Sequence, residues 1–166
     1  MLEEIASQFP AKAYIKYMDV SQPNSAMREL KDLIAEMDGV DLIIFCSGTG
    51  YINPGLEWEK EKETVDVNIA GFLCIANAAM KFFTEQGFGH FVAISSIAAL
   101  RGSRSAPAYN ASKAFISNYM EGLRCKTRRE NPNITVTDIK PGLVDTKMAQ
   151  GDGLFWVLRP MWPQNK

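Results

Sequence analysis

Apolar positions along the chain follow two alternating periods. From Ser25 to Met37 the residues Met27, Leu30, Leu33, Ile34 and Met37 recur at helical spacing, which predicts an amphipathic helix capped by Asn24 or Ser25. Val40 to Cys46 is an apolar run of strand length closed by Ser47-Gly48-Thr49-Gly50, as expected of a parallel strand covered on both faces. A loop through Asn53-Pro54-Gly55 then leads to a long helix from about Lys60 to Glu85 and a turn at Gly87-Phe88-Gly89. A strand over Phe91 to Ser95, a helix over Tyr109 to Arg129 and a strand over Thr135 to Ile139 follow. Ahead of all these, Leu2 to Phe9 reads as the end of a helix stopped by Pro10, and Lys12 to Val20 as a strand. Strands that alternate with helices predict an α/β fold with a doubly wound parallel sheet and right-handed crossovers. Pro160 and Pro163 exclude a regular helix or central strand near the carboxyl end. The expected division is therefore a domain over 1–148 and an atypical tail over 149–166.

Composition narrows the picture. At 166 residues and 46% hydrophobic, the chain is one domain by length with enough apolar material for a core. A net charge of −1 and a pI of about 5.9 give no electrostatic reason to expect nucleic acid or a membrane surface as partner. The cluster Arg124, Lys126, Arg128 and Arg129 reads as the solvated end of a helix, where cations suit the dipole. Cys46, Cys74 and Cys125 are odd in number, widely spaced and set among apolar residues. They are expected to be buried thiols in a reducing cytoplasm, with no disulfide and no metal site. His90, the single histidine, is expected to be a surface loop residue beside Gly89. The amino terminus carries acids where a signal peptide needs cations, and no apolar stretch approaches the ~20 residues that span a bilayer. A soluble cytoplasmic protein is the expectation.

The chemistry concentrates in the second half. Ser105 to Ala108 reads as a helix entrance, so Tyr109 and Lys113 of the run YNASK lie one turn apart on one helical face. A free phenol, with a pKa near ~10, holds its proton at neutral pH, and a neighbouring ammonium favours the phenolate. Tyr109 is thus a candidate general acid or base. Ser96 follows the apolar VAIS at the carboxyl end of a strand, where open α/β sheets place their ligands, and its hydroxyl is suited to a substrate carbonyl. A Tyr-x-x-x-Lys pair alone is a weak motif and fits a solvated helix pair equally well.

The assembly is more specific. IKYMDV, LIIFCSGTG, VDVNIAG, GHFVAISS, YNASK and IKPGLVDTKM, spread over about Asp19 to Met148, resemble in order the motifs of the classical short-chain dehydrogenase/reductase family. The resemblance implies an incomplete Rossmann-type domain over 1–148, NAD or NADP as cofactor, and a small alcohol or carbonyl compound as substrate. It implies Tyr109 as the acid/base and Lys113 as the group that lowers its pKa and holds the nicotinamide ribose. It further implies Ser96 as the residue that orients the substrate oxygen and Asn68 as an orderer of a proton-relay water. Asp19 and Val20 would approach the adenine, the backbone at Ser47 and Gly48 would approach the cofactor, and Pro141, Gly142, Val144 and Thr146 would contact the nicotinamide amide. The nearly all-apolar helix portion from Asn68 to Phe83 implies pairing of two copies through the 60–85 and 109–129 helices, although burial within one chain explains it nearly as well.

Two departures stand out. Phe45-Cys46-Ser47-Gly48 occupies the place of the family's Asn-Asn-Ala-Gly, and the first glycine of the chain is Gly39, so the glycine-rich turn and the first two strands of the family fold are absent. Such a turn normally receives a pyrophosphate on backbone amides at a helix N-terminus. Two functions follow: an oxidoreductase using Tyr109, or a catalytically silent form that acts at most by association. If the strand at Lys12 to Val20 occupies the family's outer position, two strands are missing between it and Val40 to Cys46. It is then expected to be displaced, exposed or paired in a way foreign to the family.

Overall fold

Each strand closes a turn of chain that a helix then carries back across the sheet, and in this computed structural model residues 2–8, 11–144 and 157–158 are described. Helix α1 spans Leu2–Ala6 and α2 spans Pro23–Glu36. Strand β1 (Leu42–Phe45) is followed by α3 (Trp58–Val65), a π-helical turn over Asp66–Gly71 and α4 (Phe72–Gln86). Then come β2 (Gly89–Ile94), a 3-10 turn at Ile97–Leu100, α5 (Pro107–Glu130) and β3 (Ile134–Ile139). Two short strands, β4 (Leu143–Val144) and β5 (Val157–Leu158), pair in parallel.

The main sheet runs β1-β2-β3, all parallel, with Leu42 opposite His90 and Ile94 opposite Ile139. This is the α/β, Rossmann-type order expected from alternating strands and helices. Phe72 at the start of α4 fixes the layers together. Its ring is fully buried, meets Phe45 edge-on at 5.5 Å and Tyr119 at 5.6 Å, and lies 6.3 Å from Phe91. One side chain thus joins β1, β2, α4 and α5, with aromatic geometry that contributes beyond the buried area.

Several expectations are corrected. Residues 12–19 form no strand: Ile15 and Tyr17 are 47% and 85% exposed, and only Val20 is buried. The segment is held by side chains instead, with Lys16 Nζ 3.2 Å from Glu29 of α2. A strand needs a neighbour for its backbone groups, and none of the described strands lies beside this one. The alternating burial of 13–18 is what remains of the strand pattern.

Helix α2 begins at Pro23, with Gln22 before it and no side-chain cap. Proline takes the first turn because its missing N–H is unpaired there in any case, so Asn24 and Ser25 lie inside the helix. Cys46 and Cys125 are exposed and only Cys74 is buried. Cys46 lies just past the end of β1, and Cys125 lies on the outer face of the basic end of α5, so apolar neighbours in sequence did not bury them. His90 stands within β2, not in a loop, and its Nε2 meets the Thr137 hydroxyl of β3 at 2.9 Å.

The long helical run Trp58–Gln86 is, by length and composition, apolar enough to cross a membrane, contrary to the expectation that no such stretch exists. Much of its apolar surface is used internally: Phe72, Ala76, Ala79 and Phe83 are fully buried. Residues 149–156 and 159–166 of the expected tail lie outside the described residues.

Candidate active site

The candidate residues meet at the carboxyl ends of β1, β2 and β3. Pro107 opens α5 at a position where its lost donor costs nothing, and the helix then presents Tyr109 and Lys113 one turn apart. Lys113 Nζ stands 5.8 Å from the centre of the Tyr109 ring. The lysine is only 6% exposed, and its ammonium donates to the Ile94 carbonyl at 3.1 Å. Burial pushes the Lys113 ammonium below its ordinary value, while the negative charge of Asp138 and, less strongly, the Cys46 thiol favour the charged form.

The loop after β1 presses on both side chains. A methyl group placed on Gly50 would stand 2.3 Å from Cδ2 of Tyr109, and one on Gly48 would stand 3.2 Å from Lys113 Nζ and 3.5 Å from Asn68 Oδ1. Glycine is required at Gly50 by close approach alone. Asn68, fully buried in the π-helical turn, holds this loop down. Its Oδ1 accepts the Thr49 N–H at 2.8 Å, and its Nδ2 donates to the Thr49 carbonyl at 2.7 Å and to Ser112 Oγ at 2.9 Å. Ser112 in turn donates to the Tyr109 carbonyl at 2.8 Å. A π-turn shifts the backbone register by one residue and recurs at functional sites; here it delivers one amide to both the loop and α5.

Ser96 caps the 3-10 turn that follows β2, its Oγ accepting the Ala98 N–H at 3.0 Å. Its hydroxyl proton has no acceptor among the described residues. Asn110, next to Tyr109, donates to the Ala98 and Arg101 carbonyls at 3.0 and 2.7 Å and so locks the Ser96 turn to the first turn of α5. The Pro141 carbonyl accepts the Ile97 N–H at 3.0 Å, which brings the Pro141-Gly142 turn to the same place. Ser95, the other hydroxyl of the pair, is turned away and bonded to Asp138.

The structure therefore gathers Asn68, Ser96, Tyr109, Lys113, Gly48 and Pro141 around one end of the sheet. Ser47 is exposed on the same loop. Asp19 and Val20 reach the π-turn from the other side: a methyl on Gly71 would stand 2.9 Å from the Val20 carbonyl oxygen. The Asp19 carboxylate closes its own turn, accepting the Ser21 N–H at 2.9 Å and the Ser21 hydroxyl at 2.7 Å. Val144 is described only by its backbone pairing with Leu158, and Thr146 lies outside the described residues.

Asn110, Ser112, Gly50 and Asn53 were not singled out as site residues from the sequence. Asn53, 1% exposed, receives the Glu57 N–H at 3.0 Å, donates to Glu61 at 2.7 Å and gives its own N–H to the Ser105 carbonyl at 2.6 Å. It clamps the entrances of α3 and α5 together. The sequence signals for these residues were the run YNASK for Asn110 and Ser112, the turn Ser47-Gly48-Thr49-Gly50 for Gly50 and the loop Asn53-Pro54-Gly55 for Asn53. The two large grooves, about 850 Å³ between α2 and α4 and about 380 Å³ between α4 and α5, contain none of the candidate residues. The chemistry rests on the strand ends instead.

The chain is similar to several known proteins. An uncharacterized oxidoreductase of Myxococcus xanthus is 34% identical over 134 residues, which cover 80% of this chain and 52% of that protein. One of Staphylococcus epidermidis is 28% identical over 152 residues, 90% of this chain and 65% of its own length. The chain thus spans between about half and two thirds of these relatives. Among solved structures, serine dehydrogenase from Escherichia coli superposes with a TM-score of 0.76 at 27% identity, over 86% of this chain and 66% of that one. The NADPH-dependent 3-quinuclidinone reductase from Rhodotorula rubra gives 0.76 at 28% identity, over 91% and 57%. The family profile described as short chain dehydrogenase matches residues 1–153. With that match added to the strand order and to the Ser96, Tyr109 and Lys113 cluster, this chain belongs to the short chain dehydrogenase family.

Proposed function

We propose that the chain carries the acid/base machinery of an NAD(P)-dependent oxidoreductase that interconverts an alcohol and a carbonyl compound. One observation supports this most: a buried ammonium, Lys113, is held one turn from Tyr109 by the Ile94 carbonyl, with the backbones of Gly48 and Gly50 pressed against both. A solvated helix pair would show neither the burial nor the close approach.

In the reductive direction the Tyr109 hydroxyl gives its proton to the substrate oxygen, and the Lys113 charge stabilises the phenolate that remains. Ser96 donates to the same oxygen with the hydroxyl proton left free by the turn. Asn68 acts through position: both protons of its side-chain amide are committed to Thr49 and Ser112, so a water would be ordered by its backbone or by the second acceptor site of its Oδ1. The site fits the nicotinamide half of a dinucleotide, because the space at Gly48 that a methyl group would fill lies against Lys113. Lys113, the Gly48 backbone and the turn at Pro141-Gly142 would hold that half; when bound, the nicotinamide supplies the hydride-transfer chemistry. The fit does not extend to the pyrophosphate, for which the described residues show no glycine-rich turn.

That last observation favours a second reading, a catalytically silent form that acts by association. Turnover with the Tyr109→Phe variant separates the two. The acid/base reading expects a loss of ~10² to 10⁴ in rate with an unchanged circular dichroism spectrum. A variant that kept more than about a tenth of the activity would remove Tyr109 from the mechanism, and an inactive parent chain that still pulls down partners would support the second reading.

A further inference from the structure

The loop after β1 turns its polarity inside out. Ile52 and Leu56 are 72% and 62% exposed, while Asn53 between them is 1% exposed. A buried amide persists where hydrogen bonds hold it, and Asn53 is held on every side. Its Oδ1 accepts the Glu57 N–H at 3.0 Å, and its Nδ2 donates to the Glu57 carbonyl at 3.2 Å and to Glu61 Oε1 at 2.7 Å. Its carbonyl accepts the Leu56 N–H at 3.2 Å, closing a turn in which Leu56 has a φ of 53°. Leucine enters this left-handed region only where its surroundings impose it. The Asn53 backbone N–H points away from that turn and donates to the Ser105 carbonyl at 2.6 Å, just ahead of the helix that carries Tyr109.

The other end of the same loop is also held, since Asn68 binds both backbone groups of Thr49. Between the two anchors lie Gly50, Tyr51 and Ile52. Gly50 is the residue seated on the Tyr109 ring, with no room for a methyl group. So short a segment, fixed at both ends, has few backbone conformations in which to leave the ring.

We propose that Asn53 is a positioning residue for Tyr109: its buried side chain, bonded to the start of α3, fixes the far end of the 48–53 loop so that the loop backs the phenol ring. This rests on the acid/base reading of Tyr109. Asn53 acts at a distance, through the Ser105 carbonyl on one side and Gly50 on the other.

The readout is the nuclear Overhauser cross-peak between Gly50 Hα and the Tyr109 ring protons in the full 166-residue chain at neutral pH. It is assigned with Tyr109→Phe and referenced to cross-peaks between β2 and β3. Asn53→Asp keeps the acceptor for the Glu57 N–H, removes both amide donors and sets a carboxylate against that of Glu61. The Gly50–Tyr109 cross-peak should then be lost while those between β2 and β3 remain. Adding Glu61→Gln supplies from the other side the donor that the aspartate lacks, and should restore the cross-peak. A role confined to the stability of α3 moves nothing at the ring. An unchanged cross-peak in Asn53→Asp, or a loss that Glu61→Gln does not restore, overturns the proposal. Neither cofactor nor turnover enters the measurement, so that result leaves the Tyr109 assignment standing. A Tyr109→Phe chain that keeps its activity removes the assignment without touching the cross-peak. Should Asn53→Asp fail to fold, Glu61→Ala decides, because it takes away the shortest of the three side-chain bonds: a weakened cross-peak supports the proposal and full intensity overturns it.

Discussion

At the scale of single residues, the site is defined as much by what is missing from side chains as by what they carry. Gly50 has no Cβ, and the Tyr109 ring occupies the space where one would stand. Gly50→Ala should therefore push the ring or the loop aside. Overpacking of this kind costs ~1–3 kcal/mol, so a lowered urea midpoint is expected, together with a loss of turnover larger than the loss of folded protein. An unchanged midpoint would show that the loop is not seated on the ring. A second residue-scale effect is electrostatic. Burial alone would raise the Asp138 carboxyl, but hydrogen bonds from Lys140, Ser95 and Ser117 outweigh it and hold the group below its ordinary value. A carboxylate whose folded pKa is depressed contributes stability above the unfolded value, near ~3.9, and loses it as the pH falls through the lower folded value. Stability measured from about pH 5 down to pH 2 should accordingly fall less steeply in Asp138→Asn than in the parent. Equal slopes would mean that another carboxylate governs the acid limb.

At the scale of elements, the long periodic segments were legible because their signal is carried by many residues at once. The stripe of Met27, Leu30 and Ile34 marked α2, and the apolar Leu42–Phe45 marked β1. The Tyr109–Lys113 spacing was legible for the same reason, since i and i+4 share a helical face wherever the helix begins. Three things were not legible. The strand expected at 12–20 has a good local pattern but no partner strand, and pairing is a tertiary property. The π-turn at Asp66–Gly71 leaves no mark in a hydrophobic period that continues on both sides of it. The double role of Asn68 depends on Thr49 and Ser112, which lie 19 and 44 positions away. That role makes a prediction about how elements are joined. Asn68→Ala leaves the Thr49 N–H and carbonyl without their side-chain partner and takes from the Ser112 oxygen the donor it accepts, and each buried group left unpaired costs ~1–3 kcal/mol. Amide hydrogen exchange should rise first in the loop 46–50 and at the start of α5, with β2 and β3 least affected. Uniform loss of protection over the whole chain would instead make Asn68 an ordinary core residue.

At the scale of the whole molecule, the two halves of a dinucleotide make different demands, and on the proposed reading the described residues offer groups for only one of them. The nicotinamide end needs a buried cation and backbone at the strand ends, and Lys113, Gly48 and Pro141 offer both. The pyrophosphate end needs a set of free backbone N–H groups at the start of a helix. Residues 1–38 contain no glycine. Helix α1 has five residues and two acids in its first turn, and α2 begins with Pro23, which has no N–H, just after the carboxylate of Asp19. Neither helix start suits an anion. Hydrogen bonds to a charged group are worth ~1.5–3 kcal/mol each, so the loss of two of them weakens binding by more than about a hundredfold. The 166-residue chain should thus bind NADH and NADPH with dissociation constants well above the micromolar range by isothermal titration calorimetry. Adenosine diphosphate, which carries the pyrophosphate without the nicotinamide, should bind no better than adenosine alone. A micromolar constant for either dinucleotide would require a phosphate cradle formed by another segment of the chain, and preference for adenosine diphosphate over adenosine would show that the cradle, not the nicotinamide end, supplies the affinity.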